Sequence, residues 1–366
     1  MRMKMNKFQN IVIQRSVATK NLGNIKWMLP RSFASLWMTL ICAFFTACST
    51  TKNLPEGEIL YTGIDKLEVI NEDKTLAGVT ALTEVEAALA YAPNNAILGS
   101  SSLRWPIPFG LWVYNGFEKY QDKRGVGRWI FDHLGKSPVL MSSVNGETRA
   151  KVATNLLRDY GYFNGSVSYQ EVPQKNPKEA KVSYVIDMAQ PYFLDSIAYL
   201  RYPHYADSLI RSTHSQSVLK SGENFSVLKL EEERQRLSSL FRNHGYYYYR
   251  PEFTTYRADT LQKPGYVSLQ VVPRNGVPTE ARKQYYIGKT SVYLTGYNDE
   301  PPTDTLRLRT MDIYYNGKKP GIRPSALMRN FFFRKGELFS QDRQTFTQEA
   351  IARMGVFRYS ELRYEP

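Results

Sequence analysis

The chain is short of the residues that most often carry chemistry. Its 366 residues include two cysteines, Cys42 and Cys48, and four histidines, His133, His204, His214 and His244. The histidines show no metal-ligand spacing, and no HExxH helix signature occurs. Gly125-Val126-Gly127 lacks both the third glycine and the preceding strand that a dinucleotide loop needs. No GxSxG nucleophile elbow is found. The sequence therefore offers no catalytic constellation, no metal ligand set and no cofactor loop, and reads as a protein that is not an enzyme.

Acidic residues are missing from one end. None precedes Glu56, while Arg2, Lys4, Lys7, Arg15, Lys20, Lys26 and Arg31 stand ahead of an uncharged stretch at residues 32–47, SFASLWMTLICAFFTA. That stretch falls short of the about 20 apolar residues of a membrane-spanning helix. A basic flank, an apolar centre and small residues before a cut site make residues 1–47 a secretory signal, which also reads as complete if it starts at Met28. Phe45-Thr46-Ala47-Cys48 resembles a bacterial lipobox, in which the cysteine is diacylated and becomes the first residue. With Cys42 removed and Cys48 modified, no thiol remains for a disulfide, a metal site or catalysis. Acyl chains contribute ~0.8 kcal/mol per buried CH₂, so together with nearby apolar contacts they anchor the chain. The polar, turn-rich residues 49–58 suit a short tether, and no Asp follows Cys48 to argue for inner-membrane retention.

The same segment holds half of the net charge. The whole chain carries 48 Lys+Arg against 34 Asp+Glu, a net +14; without the seven cations before Cys48 it carries 41 against 34, or +7. A nucleic-acid partner, which +14 would suggest, drops out.

Aromatics are abundant, at 13% with 26 tyrosines, which favours strands. A short signature recurs: Gly161-Tyr162-Phe163, Gly245-Tyr246-Tyr247 and Gly355-Val356-Phe357. Each follows an amphipathic helical pattern, carried by Val152, Leu156, Leu157 and Tyr160, then Leu230, Leu237, Leu240 and Phe241, then Phe346, Ala350, Ile351 and Met354. The glycine is expected at the helix C′ position with positive φ, and the aromatic pair is expected to open an extended segment. A second signature precedes two of these helices, Gly222-Glu223-Asn224-Phe225-Ser226 and Gly336-Glu337-Leu338-Phe339-Ser340, with the serine as N-cap. Gly135-Lys136-Ser137-Pro138-Val139 is a looser first copy.

Alternation at Val182, Tyr184 and Ile186 and at Val267, Leu269 and Val271 marks strands, and further strands open near Tyr192 and Tyr285. Each unit reads strand, helix, helix, strand, strand, an α+β class. The charge run Glu231, Glu232, Glu233, Arg234 and Arg236 reads as a solvated helix face.

At this point three segments show a resemblance. CSTTKNLPEGEILYTGI, GKSPVL with LLRDYGYF, and RKGELFSQDRQTFTQEAIARMGVFR resemble the BamA/TamA family of outer-membrane assembly proteins, specifically its lipoprotein-headed, POTRA-containing variants, over essentially all of residues 48–366. The resemblance implies tandem POTRA-like units: 48–189, holding the lipidated tether and an insertion at 93–134; 190–282; and 283–366, the last without its final strand. The family's β-barrel is not expected in this chain, because only about a dozen residues follow Met354 and a barrel needs at least eight strands of about 9–11 residues. The chain accordingly reads as a truncated barrel protein, with a stand-alone POTRA protein as the other option.

The implied location is the outer membrane, lipid-anchored through Cys48 and facing the periplasm. The implied partners are unfolded outer-membrane proteins and other assembly-machinery subunits, with strand edges accepting client strands by β-augmentation. Candidate edge residues are Ser166, Val167, Tyr169, Tyr247 and Tyr249, within 166–170 and 246–253. The insertion places Trp105, Trp112 and Trp129 near Arg124 and Arg128, a composition suited to a membrane interface; the alternative is an elaboration of the first unit with those aromatics in its core. A lipoprotein that binds glycan or envelope polymer is the competing functional class. It would use an aromatic platform, for which Tyr246 to Tyr249 are the obvious residues.

Overall fold

A computed structural model describes residues 50–296 and 301–365; the expected signal at residues 1–47 and the expected acylation at Cys48 lie outside these residues. The described chain is α+β and repeats one theme. In the first module, β1 (Leu60–Ile70) leads to α1 (Leu76–Leu89), whose N-cap Thr75 accepts a hydrogen bond from the Gly78 N–H. The insertion follows with α2 (Phe109–Phe117) and α3 (Val126–Leu134). The short α4 (Met141–Val144) and then α5 (Gly146–Asp159) return the chain to the hairpin β2 (Ser166–Pro173) and β3 (Glu179–Asp187). Strand β3 alternates buried and half-buried residues, as a central strand with one core face must. It lies parallel to β1 and antiparallel to β2, so the sheet order is β1-β3-β2. Tyr61, Leu157, Tyr162, Tyr184 and Ile186 fill the core between sheet and helices.

The second module repeats the order with β4 (Phe193–Tyr199), α6 (His204–Ser212), α7 (Val227–Asn243), β5 (Thr254–Asp259) and β6 (Tyr266–Pro273). Its sheet is β4-β6-β5 with the same parallel and antiparallel pairings. Its core is built on Leu194, Ile210, Leu237, Phe241 and Leu269.

The third module keeps the spatial order but changes the chain order. After β7 (Thr290–Tyr293) come β8 (Asp304–Arg307) and β9 (Met311–Tyr315), and only then α8 (Pro324–Asn330) and α9 (Gln341–Arg353). The sheet is β7-β9-β8. The expectation of a missing final strand is thus corrected: a hairpin ahead of the helices supplies the strands that follow the helices in the first two modules. Leu306, Met311 and Ile313 give it an apolar face against Leu327.

By contact, the chain divides into two compact units. Among the described residues, one consists of 50–53 and 111–135, and the other, which contains the three modules, of the remainder from 54 onward. Among the described residues no helix is long and apolar enough to cross a membrane.

Both sequence signatures turn out to belong to one structural joint. Gly161 ends α5 with φ +90°, and the backbone closes around it: Tyr162 N–H donates to Leu157 O at 2.9 Å and Gly161 N–H to Arg158 O at 2.9 Å. The carbonyl of Gly161 then accepts the Tyr192 N–H of the next module at 3.0 Å, and the Tyr192 carbonyl accepts Phe225 N–H at 2.8 Å. Phe163 packs its ring 5.0 Å from both Tyr192 and Phe225. The second joint repeats these bonds: Tyr285 N–H to Gly245 O at 2.8 Å and Phe339 N–H to Tyr285 O at 2.9 Å, with Tyr247 against Phe339 at 4.9 Å.

The plug contact has a copy inside the first module: Met141 N–H donates to Ile59 O and Tyr61 N–H to Val139 O, as Phe225 N–H does to Tyr192 O and Leu194 N–H to Glu223 O in the second, all at 2.8 Å. The first copy of the plug is therefore Pro138-Val139-Leu140-Met141-Ser142, three residues later than the looser match at Gly135. Pro138 and Gly222 then stand the same distance ahead of Gly161 and Gly245.

At Gly161 a Cβ would lie 2.5 Å from the Phe225 carbonyl oxygen, whereas at Gly222, also at positive φ, it would meet nothing within 4 Å. Gly222→Ala is expected to cost the ~1–2 kcal/mol of a left-handed non-glycine residue, and Gly161→Ala clearly more, as read from urea unfolding midpoints. Equal losses would show that the joint is not packed as described.

Candidate functional site

A three-stranded sheet of order first-third-second leaves its second strand with one partner. In the first module this strand is β2, which pairs along its whole length with β3 and with no other strand. Its outward side is set by Thr154 of α5, whose Oγ1 accepts Val167 N–H at 2.9 Å. Because antiparallel pairing alternates inward and outward residues, the N–H and C=O groups of Tyr169 and Glu171 also point away from the sheet. Of the predicted edge residues on this strand, Ser166 and Tyr169 are exposed and Val167 is buried toward α5.

Beside the edge runs a groove of about 570 Å³ between α5 and β2, lined in part by Glu147, Ala150, Lys151, Thr154, Val167 and Tyr169. It is open because the helix face above it is small. Gly146 lies directly under the Tyr169 ring, where a Cβ would come within 2.8 Å, and Ala150 sits one turn further on. Glu147 and Lys151 form an exposed pair at 2.6 Å. Their hydrogen bond holds the carboxyl below and the ammonium above its ordinary pKa, an interaction worth little to stability in open solvent. The α5 residues of the groove escaped the sequence reading, although Gly146, Ala150 and Thr154 form a small-residue stripe at helical spacing.

The second module fills the equivalent place. Tyr256 of β5 matches Tyr169 in register: Tyr169 faces Tyr184, four residues after the Ala180 that pairs with Tyr61, and Tyr256 faces Val271, four residues after the Val267 that pairs with Leu194. Counting back equal distances from Gly161 and Gly245, α7 carries Leu230 and Arg234 where α5 carries Gly146 and Ala150. The Tyr256 hydroxyl donates to Leu230 O at 2.5 Å, and the Arg234 guanidinium lies 5.3 Å from the Tyr256 ring centre. Burial pushes the Tyr256 hydroxyl pKa up.

Tyr247 and Tyr249 do not lie on a strand edge, and that expectation is corrected. After Gly245 the backbone turns instead of extending: Tyr246 N–H returns to Phe241 O at 3.1 Å and Tyr249 N–H to Tyr246 O at 3.0 Å, and β5 begins only at Thr254. Tyr249 is buried in the second core, its hydroxyl 2.9 Å from Thr254 Oγ1, and burial raises its pKa to about 12. Tyr247 is packed in the joint. The run therefore forms no aromatic platform.

The charge run is not wholly solvated either. Glu233 is fully buried, pairs with Arg236 at 2.6 Å, and accepts Tyr199 Oη–H at 2.6 Å and Val218 N–H at 3.2 Å. It ties α7 to β4 and to the plug loop.

The insertion's aromatics divide between the two compact units. Trp105 is 62% exposed in the larger one, beside Arg104, which donates to the Thr62 and Ile64 carbonyls at 3.4 and 3.3 Å. In the smaller unit Trp112 is half-buried, Tyr114 packs on Phe131 at 5.2 Å, and Asn115 Nδ2 donates to Thr50 O at 3.2 Å. Helix α3 exposes Val126, Trp129 and Leu134, with Arg124 and Arg128 also exposed. Trp105 and Trp129 are thus not core residues. Among the described residues no three His, Cys, Asp or Glu side chains come close enough to hold a metal ion.

No family model matches the chain, and no curated protein matches it. Among solved structures it is similar to POTRA domains 3–5 of BamA from Haemophilus influenzae, at 10% identity over 86% of this chain and 93% of that one, with a TM-score of 0.35. It is also similar to POTRA domains 1–3 of the periplasmic domain of Omp85 from Anabaena, at 11% identity over 83% and 88%, TM-score 0.26. A third is the N-terminal domain of Omp85 from Thermosynechococcus elongatus, at 14% identity over 85% and 92%, TM-score 0.24. These likenesses are too loose to carry a functional argument, which falls to the modules, their joints and their edges.

Proposed function

We propose that this chain is the POTRA-type periplasmic portion of an outer-membrane protein assembly or translocation factor, non-catalytic and held at the membrane by acylated Cys48. Its client contact is strand addition at β2, and its partners are unfolded outer-membrane proteins and other assembly subunits. One observation carries this reading: the first module leaves its edge strand and the α5 groove beside it open. An extended client strand pairs with the outward groups of Tyr169 and Glu171 while its alternate side chains enter the groove. Each main-chain bond nets only ~0.5–1.5 kcal/mol, so the contact is weak, exchangeable and tolerant of sequence. That tolerance suits many unfolded clients.

The smaller unit gives the reading a second contact. Trp129, Val126 and Leu134 on α3, with Arg124 and Arg128, combine an apolar stripe with cations, the composition of a helix that lies in a membrane interface.

Titrating the full chain with an extended peptide of alternating apolar residues should shift amide resonances of residues 166–171. The double variant Gly146→Leu/Ala150→Arg, which copies the second module's filled groove and displaces the Tyr169 ring, should remove the shifts, with unchanged amide resonances of the central strand β3 confirming that the fold survives. Shifts that persist in the filled variant, or that avoid β2 altogether, would defeat the strand-addition reading. For the membrane contact, the Cys48→Ser chain should sediment with phosphatidylglycerol-containing vesicles and lose several-fold of that binding on Trp129→Ala/Arg128→Glu substitution; undiminished binding would refute it.

A further inference from the structure

A second cavity, of about 300 Å³, lies where the second module meets the segment leading to the third. Its interior is apolar and aromatic. Phe241, Tyr246 and Tyr249 line it and are buried, and Val277 and Ala281 close it from the connecting segment. Three arginines also line it, Arg201, Arg274 and Arg282, and no acidic residue does. All three arginines are exposed, and none takes part in an ion pair formed by the described residues. Three cations without an acidic partner in the lining thus border one apolar hollow, a positive potential that favours an anion.

The backbone around the cavity is also unusual. Arg201 has a φ of +65°, a left-handed conformation that disfavours a long side chain. Arg274 stands beside the tight turn Asn275-Gly276, where Gly276 has φ +80°. Two constrained turns thus each bring an arginine to the same cavity.

We propose that this cavity binds a small amphiphilic anion, a carboxylate or phosphate carried on an apolar body. The apolar body packs against Phe241, Tyr246 and Tyr249, and the head is held by Arg201, Arg274 and Arg282, whose planar forks match either oxyanion. The volume admits one small molecule or one bulky side chain. Because Val277 and Ala281 precede the third module, the bound anion would also fasten the connecting segment to the second. The site lies apart from the β2 groove, so it stands or falls independently of strand addition.

Calorimetric titration of the full chain with 3-phenylpropionate, phenyl phosphate and the neutral 3-phenylpropanol tests this. At least one anion should bind, the alcohol at least about tenfold more weakly, and Arg274→Glu should weaken the anion at least about tenfold. The stronger of the two anions identifies the head group. Arg274 is exposed and outside every described ion pair, so its reversal leaves the fold in place, checked by an unchanged melting curve. Equal binding of acid and alcohol, an Arg274→Glu chain that binds as before, or no binding by either anion at millimolar concentration would each overturn the proposal.

Discussion

Everything in the three modules hangs on how a helix ends. A glycine in the left-handed region lets α5 and α7 stop within one residue and turn a carbonyl outward. That carbonyl takes the first N–H of the next module's opening segment, and the opening segment in turn takes the plug residue, Phe225 or Phe339. Helix end, strand start and plug are thus three members of one hydrogen-bonded set. The aromatic next to the glycine divides the labour: Tyr162 and Tyr246 pack into their own cores, while Phe163 and Tyr247 pack against the following module.

This joint also determines which edges of the sheets remain available. The plug bridges to the start of each first strand, at Leu60 with Leu140, Phe193 with Asn224 and Tyr286 with Leu338. The first strand is covered there, and the third strand is central by topology. The second strand forms the opposite edge, and its fate depends on the helix beside it. Gly146 and Ala150 leave β2 open; Leu230, Arg234 and Tyr256 close β5. Two modules with one fold therefore differ in what they can accept, through two helix positions and one hydrogen bond.

Much of this was legible in the sequence, for identifiable reasons. Positive φ at Gly161, Gly245 and Gly355 follows from a glycine just past an amphipathic run, and the β3 and β6 strands follow from alternation. Ser340 caps α9 as expected, accepting Arg343 N–H at 3.4 Å. Other features depend on tertiary packing that periodicity does not encode. Val152 and Phe346 fit the helical pattern yet are exposed, because the buried faces of their helices are those that carry Ala153 and Thr347. Glu233 looked solvated among its acidic neighbours but is the one that meets Tyr199 and Arg236. Tyr246 to Tyr249 have strand propensity, but the helix-closing bond pulls them into a turn. The third module's hairpin precedes its helices, an order no repeat argument anticipates.

The joint is tested most directly by hydrogen exchange on the full chain, read at the amides of Tyr192, Phe225, Tyr285 and Phe339. These amides close the bonds between and within the modules at 2.8 to 3.0 Å. They should exchange as slowly as the central amides of β3 and β6, since opening them requires a cooperative unit to open. Exchange at the rate of exposed loops, with β3 and β6 still protected, would show that the modules fold without the joint and would contradict the account.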